Sequence, residues 1–173
     1  MKTMYVAVIA LTLTALTACT VIRPPVAPNQ VSNPTPAAQP APPDHILVMP
    51  NDLKWADVPS LPPGAKLTII EGPMNAAVPF TIRLTFPPNY KVPPHWHPAI
   101  EHVTVISGVL NMGLGDVLDT STSHRLEVGG MAIMQPKIHH YVWTQEGATV
   151  QVHGVGPWAI NYLNPADDPR QKK

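Results

Sequence analysis

Two histidines and a glutamate lie close together in the sequence, and all three side chains can bind a divalent metal ion. His95 and His97 are separated by one residue, so in extended backbone both imidazoles project from the same face. Glu101 keeps the same parity, although Pro98 makes the path between them irregular. Two imidazoles and a carboxylate form a partial metal shell with positions left open for substrate or water. We therefore expect a metal site here, with Glu101 as a candidate catalytic base, although lone His-x-His pairs also occur on solvated strands.

The residues that must position this segment are typical of an all-β fold. The clearest strand is 80–86, where apolar residues occupy the even positions and polar residues the odd ones. Pro and Gly separate the apolar runs, and no window after residue 45 has a sustained helical period. Many short strands favour a sandwich or a small closed barrel, and spacing does not decide between them. Strands are predicted over 45–49, 66–70, 80–86, 100–106, 109–114, 131–135, 138–143, 149–153 and 159–163.

The metal-binding segment also resembles the first motif of a known family. His95, His97, Glu101 and Gly108 match the spacing His-x-His-x3-Glu-x6-Gly, which is similar to the first motif of the cupins. The motif usually begins with Gly six residues before the first His, and here that position is Asn89, which tolerates a similar turn. The resemblance implies a small double-stranded β-helix, or jelly-roll, barrel.

The second cupin motif, Gly-x5-Pro-x-Gly-x2-His-x3-Asn, is matched in part. Gly130 and Pro136 keep its spacing, but the following segment is one residue short, and Thr144 stands where the Asn would be. The resemblance implies a third histidine after Pro136. His139 and His140 are neighbours, so only one can face inward on a strand. His140 is favoured because it leads into the Tyr-Val-Trp segment as the family's ligand does, and His139 remains the alternative.

The resemblance covers the barrel domain, residues 45–173, with the motif core at 79–155. It implies one divalent transition metal (Fe, Mn, Ni, Cu or Zn) held by His95, His97, Glu101 and His140, and a small-molecule substrate or ligand. The wider sequence resembles a subgroup of cupins related to the anti-sigma factor ChrR. That likeness is carried by the segments 52–55, 94–98, 107–108, 140–143 and 164–169.

Three functions agree with these features. The first is a mononuclear metal-dependent enzyme, for example dioxygenase-like, acting on a small molecule. The second is a non-catalytic sensor of a metal or ligand, and the third is a metal-free barrel that binds a sugar or an envelope polymer. A formal net charge of zero argues against a nucleic-acid partner. The resemblance also allows a homodimer, since cupins often dimerise.

The N-terminal residues are interpreted as a targeting segment rather than as part of the barrel. Residues 1–18 carry a short apolar run and end before Cys19, the single cysteine of the chain, in a sequence that resembles a bacterial lipobox. This predicts a lipoprotein signal peptide, lipidation of Cys19 and a membrane anchor in the bacterial cell envelope, with the outer membrane favoured in a Gram-negative cell. Residues 19–44 contain eight prolines and are predicted to be a disordered spacer.

The remaining candidates are expected to be structural. His102 has the opposite parity to Glu101, His124 lies in a polar segment predicted as a loop, and His153 ends a strand, where a supporting role at the metal is a minor alternative. Trp158 is one of three tryptophans that could line a pocket, with a core role favoured. The last seven residues, 167–173, are expected to be a frayed tail.

Overall fold

The structure is a computed structural model that describes residues 45–172, in which the chain forms two antiparallel β-sheets. The signal peptide, Cys19 and the proline-rich spacer predicted over 1–44 lie outside the described residues. The strands are β1 (Ala56–Asp57), β2 (Lys66–Glu71), β3 (Pro79–Phe86), β4 (Tyr90–Trp96), β5 (Glu101–Gly108), β6 (Leu110–Leu114), β7 (His124–Leu126), β8 (Met131–Met134), β9 (His140–Thr144), β10 (Ala148–Val155) and β11 (Asn161–Tyr162).

The two sheets interleave strands from distant parts of the sequence. The first sheet has the order β1-β2-β3-β10-β5-β8, and the second has the order β11-β4-β9-β6-β7. In each sheet a late strand lies between two early ones: β10 separates β3 from β5, and β9 separates β4 from β6. This antiparallel arrangement is a jelly-roll barrel, and it confirms the predicted fold class.

The core follows from the period of two along the strands. On β3, Phe80, Ile82, Leu84 and Phe86 are buried, whereas the residues between them are only partly covered. The second sheet contributes buried side chains of the same kind to the facing layer, including Val92, Leu110, Met112 and Val142. Hydrophobic burial between the sheets therefore holds the barrel together and fixes the inward side of each strand.

Several predicted elements differ from the structure. Residues 45–49 are not a strand, and a 3₁₀ turn at Pro50–Asp52 follows them. Strand β4 was not among the predicted strands because Pro93 and Pro94 lie inside it, and β7 occupies a segment predicted as a polar loop. Proline is accommodated in β4 because its register shifts there, and β7 is a short edge strand.

The C-terminal residues are not a frayed tail. Two 3₁₀ turns, Pro165–Asp167 and Pro169–Gln171, follow β11. The Asp168 carboxylate accepts hydrogen bonds from Arg170 Nε and Nη2 at 2.7 and 2.8 Å, and Arg170 Nη2 also donates to the Ile160 carbonyl at 3.1 Å. These contacts attach the C-terminal residues to the barrel. Within the part of the chain that the structure describes, no helix is long and apolar enough to cross a membrane.

Candidate metal centre

A β-bulge aims His95 at the inside of the barrel. Strand β4 pairs with β9 through Val92 opposite Val142, and then through His95 opposite His140. Between these pairs two prolines of β4 face one residue of β9, which is the arrangement of a bulge. Proline has no backbone N–H to donate, so the sequence Pro93-Pro94 accounts for the break in the ladder. The bulge leaves His95 and His140 as direct cross-strand neighbours.

Three histidines meet at this point. His95, His97 and His140 each offer one ring nitrogen, and these atoms all lie within 4.8 Å of one another. The ring centroids are 4.2 Å apart for His95 and His140, 5.0 Å for His95 and His97, and 5.2 Å for His97 and His140. All three side chains are buried, with 1–4% of each residue exposed. The structure thus places His140, rather than His139, beside the His-x-His pair.

Backbone carbonyls orient all three rings. His95 Nδ1 lies 2.7 Å from the Pro93 oxygen, His97 Nδ1 lies 2.8 Å from the Ala159 oxygen, and His140 Nδ1 lies 3.0 Å from the Ile138 oxygen. A carbonyl can only accept, so each Nδ1 carries the proton and donates it. In a neutral imidazole this leaves the lone pair on Nε2. Such contacts commonly fix the ring orientation of metal-binding histidines.

Glu101 reaches the same point from the other sheet. It is the first residue of β5, in the first sheet, whereas β4 and β9 belong to the second. Its Oε1 lies 3.4 Å from His97 Nε2, and its Oε2 lies 3.4 Å from His140 Nε2. The irregular path expected at Pro98 is therefore a crossing between sheets, and Glu101 meets the histidines across the barrel rather than along one strand.

Burial favours the neutral form of His95 and His97. It lowers the pKa of His95 well below the ordinary value, and the nearby His140 and His97 lower it further. Burial also lowers the pKa of His97, although the charge of Glu101 opposes this. For Glu101, burial raises the pKa, but His97 and His140 lower it by more, so the carboxylate form is favoured. Neutral imidazoles are thus favoured at His95 and His97 and a carboxylate at Glu101, which are the forms that bind metal ions.

This donor set fits a divalent cation. His97 Nε2 is buried and has no hydrogen-bond partner among residues 45–172, although a carboxylate oxygen lies 3.4 Å away. Because His97 Nδ1 holds the ring proton, Nε2 presents a lone pair to an oxygen that can also only accept. Two acceptors that face each other in a buried site repel, unless a cation lies between them. A divalent metal ion held by three imidazoles and a carboxylate removes that conflict.

Comparison with known proteins places this geometry in a familiar fold. No protein-family model matches the chain, and no curated protein is significantly similar to it. Solved structures are similar, among them the polyketide cyclase RemF from Streptomyces resistomycificus, with a TM-score of 0.58, 17% identity, and 72% of this chain and 89% of that chain covered. An RmlC-like cupin from Shewanella frigidimarina has a TM-score of 0.51 and 13% identity, with coverage of 61% and 86%. The chain has the cupin fold.

A third similar structure is a proposed acetylacetone dioxygenase from Methylibium petroleiphilum. Its TM-score is 0.56 at 11% identity, and the match covers 76% of this chain and 90% of that chain. At these identities the likeness concerns the fold alone. The finer resemblance to the ChrR-related subgroup therefore stays a prediction.

The histidine cluster borders a cavity inside the cupin barrel. The cavity has a volume of about 260 Å³, and His95, His97, Glu101 and His140 form part of its wall. Side chains from both sheets line the rest, together with the segment 57–61, which precedes β2. The cluster thus faces a space that a small molecule can occupy.

The other histidines lie elsewhere on the cupin barrel. His139 is partly exposed, and its Nδ1 lies 2.7 Å from Asp116 Oδ1. His102 and His153 are cross-strand neighbours whose rings stack at 4.7 Å, on the side of β5 and β10 away from the core. His153 therefore does not support the histidine cluster. His124 is exposed on β7. Parity along each strand was sufficient to separate His102 from Glu101.

Three residues near the C-terminus support the cluster, and the sequence pattern did not predict their part in it. The Trp158 indole stacks on the His97 ring with centroids 4.4 Å apart, and Ala159 supplies the carbonyl that orients that ring. Tyr162 has its ring 6.1 Å from that of His95 and donates a 2.8 Å hydrogen bond to the Ser60 carbonyl. A tryptophan pocket was considered from sequence, but no local signal links residues 158–162 to a motif 60 residues earlier.

Proposed function

We propose that this protein is a mononuclear metal-binding cupin, in which His95, His97, His140 and Glu101 hold one divalent transition metal. The observation that carries the proposal is the Nε2 of His97, which has no hydrogen-bond partner in the described part of the chain and faces a carboxylate 3.4 Å away in a buried site. The three Nδ1 contacts to carbonyls support it, because they direct every remaining lone pair to the same point. The donor set suits Fe, Mn, Ni, Cu or Zn and does not select among them.

We further propose that the site acts on a small molecule and is a metal-dependent enzyme. Structural metal sites are closed by protein ligands, whereas catalytic sites keep a position open. Here the cluster borders a cavity of about 260 Å³, which supports a substrate position. A bound metal would polarise a substrate oxygen or activate a bound ligand. Glu101, buried at the cavity wall among the histidines, could accept a proton.

The metal content of the purified chain tests the first proposal. The full chain is produced without a histidine tag, and metals are counted by elemental mass spectrometry for the unsubstituted protein, His140→Ala and His139→Ala. We expect near-stoichiometric metal that is lost in His140→Ala and kept in His139→Ala. The two variants remove adjacent imidazoles from one strand end, so their difference isolates the metal site. An empty protein that cannot be loaded, or equal loss in both variants, would overturn the proposal.

Turnover separates an enzyme from a sensor. For an enzyme, the metal-loaded chain converts a small molecule, and the rate disappears in His97→Ala under conditions where circular dichroism shows an intact fold. A non-catalytic sensor would bind the same molecule with no conversion at any metal loading. Either result is interpretable only after the metal count, so that measurement comes first.

We also propose that the barrel is tethered to a membrane of the bacterial cell envelope through lipidated Cys19. The support is the sequence alone: a short apolar N-terminal run followed by the single cysteine, then a proline-rich spacer. Several acyl chains on one residue are enough to hold a domain at a membrane. We expect Cys19→Ser to move the protein from the membrane fraction to the soluble fraction of the expressing cells, whereas Ser32→Ala in the spacer has no effect. Equal fractionation of the two variants would overturn the tether.

A further inference from the structure

The cavity beside the histidine cluster has apolar walls. Both sheets and the segment before β2 contribute aliphatic or thioether side chains to it, among them Leu67, Met74, Ile82, Val103, Met112 and Val142. Most of these side chains belong to the barrel core or pack against it. A molecule that fills the cavity therefore exchanges water for hydrocarbon over most of its surface.

On the cavity wall, polar groups are confined to the histidine cluster and a few other positions. Apart from the three histidines and Glu101, the polar side chains on the wall are Asp57, Ser60 and the indole of Trp158. Asp57 already has a partner, since its Oδ1 lies 2.6 Å from Lys66 Nζ, and this pair is exposed. No lysine or arginine lines the cavity among the residues that the structure describes.

From these walls we infer the class of molecule that the site takes: an uncharged, mostly apolar small molecule with an oxygen at the end that reaches the histidines. The inference rests on the proposed function only in giving that oxygen a metal to meet. If the bound molecule carried a second carboxylate, that group would be buried without a cation to pair with it. If it carried several sugar hydroxyls, these would lose their bound water without gaining hydrogen-bond partners. Dicarboxylates and sugars are therefore excluded, and with them a polymer of sugars.

The size of the cavity limits the molecule further. Pockets that hold drug-sized ligands have volumes of roughly 300–1,000 Å³. This cavity, at about 260 Å³, is smaller, so its occupant is a compact molecule rather than an extended chain. A monocyclic ketone has the size that the cavity volume allows, and the apolar body and single oxygen that match its lining.

Three probes of similar size test the inference: cyclohexanone, adipate and glucose. Their binding to the metal-free full chain is measured by ligand-observed NMR, because a bare metal would attract a carboxylate whatever the walls are. We expect cyclohexanone to bind at least tenfold more tightly than adipate or glucose. Absence of cyclohexanone binding, or equal or tighter binding of either polar probe, would overturn the inference.

A pair of substitutions locates the binding. Met74→Trp adds bulk to the cavity wall, whereas Met131→Trp adds the same bulk to an exposed position on β8. We expect Met74→Trp to weaken cyclohexanone binding at least tenfold and Met131→Trp to leave it unchanged. Equal effects would place the ketone outside the cavity and overturn the inference. If Met74→Trp does not fold, the ranking of the three probes on the unsubstituted chain still decides.

The two proposals fail in different ways. If the chain takes up no metal but ranks the probes as expected, the metal function is wrong and the cavity specificity stands. If the chain holds stoichiometric metal but binds adipate or glucose as well as cyclohexanone, the metal site stands and the substrate class is wrong.

Discussion

The indole of Trp158 lies flat against the imidazole of His97, with ring centroids 4.4 Å apart and planes 16° from parallel. The backbone carbonyl of the next residue, Ala159, accepts a 2.8 Å hydrogen bond from Nδ1 of the same ring. Two consecutive residues of the C-terminal segment therefore set both the plane and the rotation of one histidine of the cluster.

Removing the Trp158 ring is expected to weaken metal binding. In Trp158→Ala the His97 ring loses its packing partner, and water gains access to the buried Nε2. Supporting groups of this kind typically contribute about 10–100-fold to metal affinity. We expect a loss of about tenfold for Zn(II), measured by competition with a fluorescent chelator. Trp55→Ala, at an exposed tryptophan away from the cluster, should leave the affinity unchanged. A similar loss in both variants would show a general effect on the fold.

Neutralising Glu101 is expected to weaken metal binding while leaving the shape of the site intact. Glu101→Gln keeps the side-chain volume but removes the charge that lies 3.4 Å from two imidazoles. We expect the Zn(II) affinity to fall roughly tenfold or more in the same chelator assay. Glu127→Gln, at an exposed carboxylate beside Arg125, is the matched control and should bind as the unsubstituted chain does. Unchanged affinity in Glu101→Gln would remove Glu101 from the ligand set.

The metal-free protein is expected to lose stability as the pH falls below about 6.5. Burial lowers the pKa of both His95 and His97 in the folded chain, whereas an unfolded histidine titrates near 6.5. Between these values the unfolded chain binds more protons than the folded one, so acid favours unfolding. Urea denaturation at pH 7.5, 6.5 and 5.5 measures the effect as a falling free energy of unfolding.

A double variant tests which groups cause this pH dependence. His95→Asn combined with His97→Asn should flatten the decline between pH 7.5 and 5.5. His124→Asn, which removes an exposed histidine on β7, should leave the decline as it is. Stability that stays constant or rises on acidification of the unsubstituted metal-free chain would contradict the prediction.

The hydroxyl of Tyr162 is expected to hold the segment 58–61 over the cavity. Tyr162 donates a 2.8 Å hydrogen bond to the Ser60 carbonyl, and that segment lines the cavity. Tyr162→Phe removes this bond at a cost of about 0.5–1.5 kcal/mol and should speed hydrogen exchange at 58–61. Tyr141→Phe is a close control, because Tyr141 also donates a 2.8 Å bond to a carbonyl, that of Asp119.

The two tyrosine variants should differ in where exchange changes. Tyr141→Phe is expected to speed exchange near residue 119 and to leave 58–61 unchanged, with mass spectrometry of peptic fragments as the measurement. Faster exchange at 58–61 in both variants would indicate a general loss of stability rather than the release of one segment.

Most of the candidate metal-binding side chains could be predicted from the local pattern together with the cupin resemblance. The alternation of the strands separated inward from outward positions, so His95 and His97 were expected on one face and His102 on the other. The partial second motif, read through the cupin resemblance, favoured His140 over its neighbour. The structure agrees with this placement: His140 begins β9 with its side chain inward, while His139 precedes the strand and lies beside Asp116.

Glu101 was predicted to lie beside the histidines, but parity gives only part of the reason why it does. Equal parity along 95–101 suggested one continuous face, but the chain leaves one sheet after β4 and enters the other at β5. The carboxylate meets His97 and His140 because the two sheets face each other. Parity tells which side chains of one strand share a face, but not which strand lies opposite. The meeting of Glu101 with the histidines across the barrel could therefore be seen only in the tertiary structure.

By itself the sequence determined the all-β class, the inward face of most strands and the candidates His95, His97 and Glu101, because these depend on a period of two and on short spacings. His140 was implied by the cupin resemblance. The tertiary structure alone decided the support from Trp158 and Ala159, the tie from Tyr162 to Ser60, and the apolar cavity. Each of these joins residues far apart in the chain, and such contacts exist only after hydrophobic burial has closed the two sheets on each other.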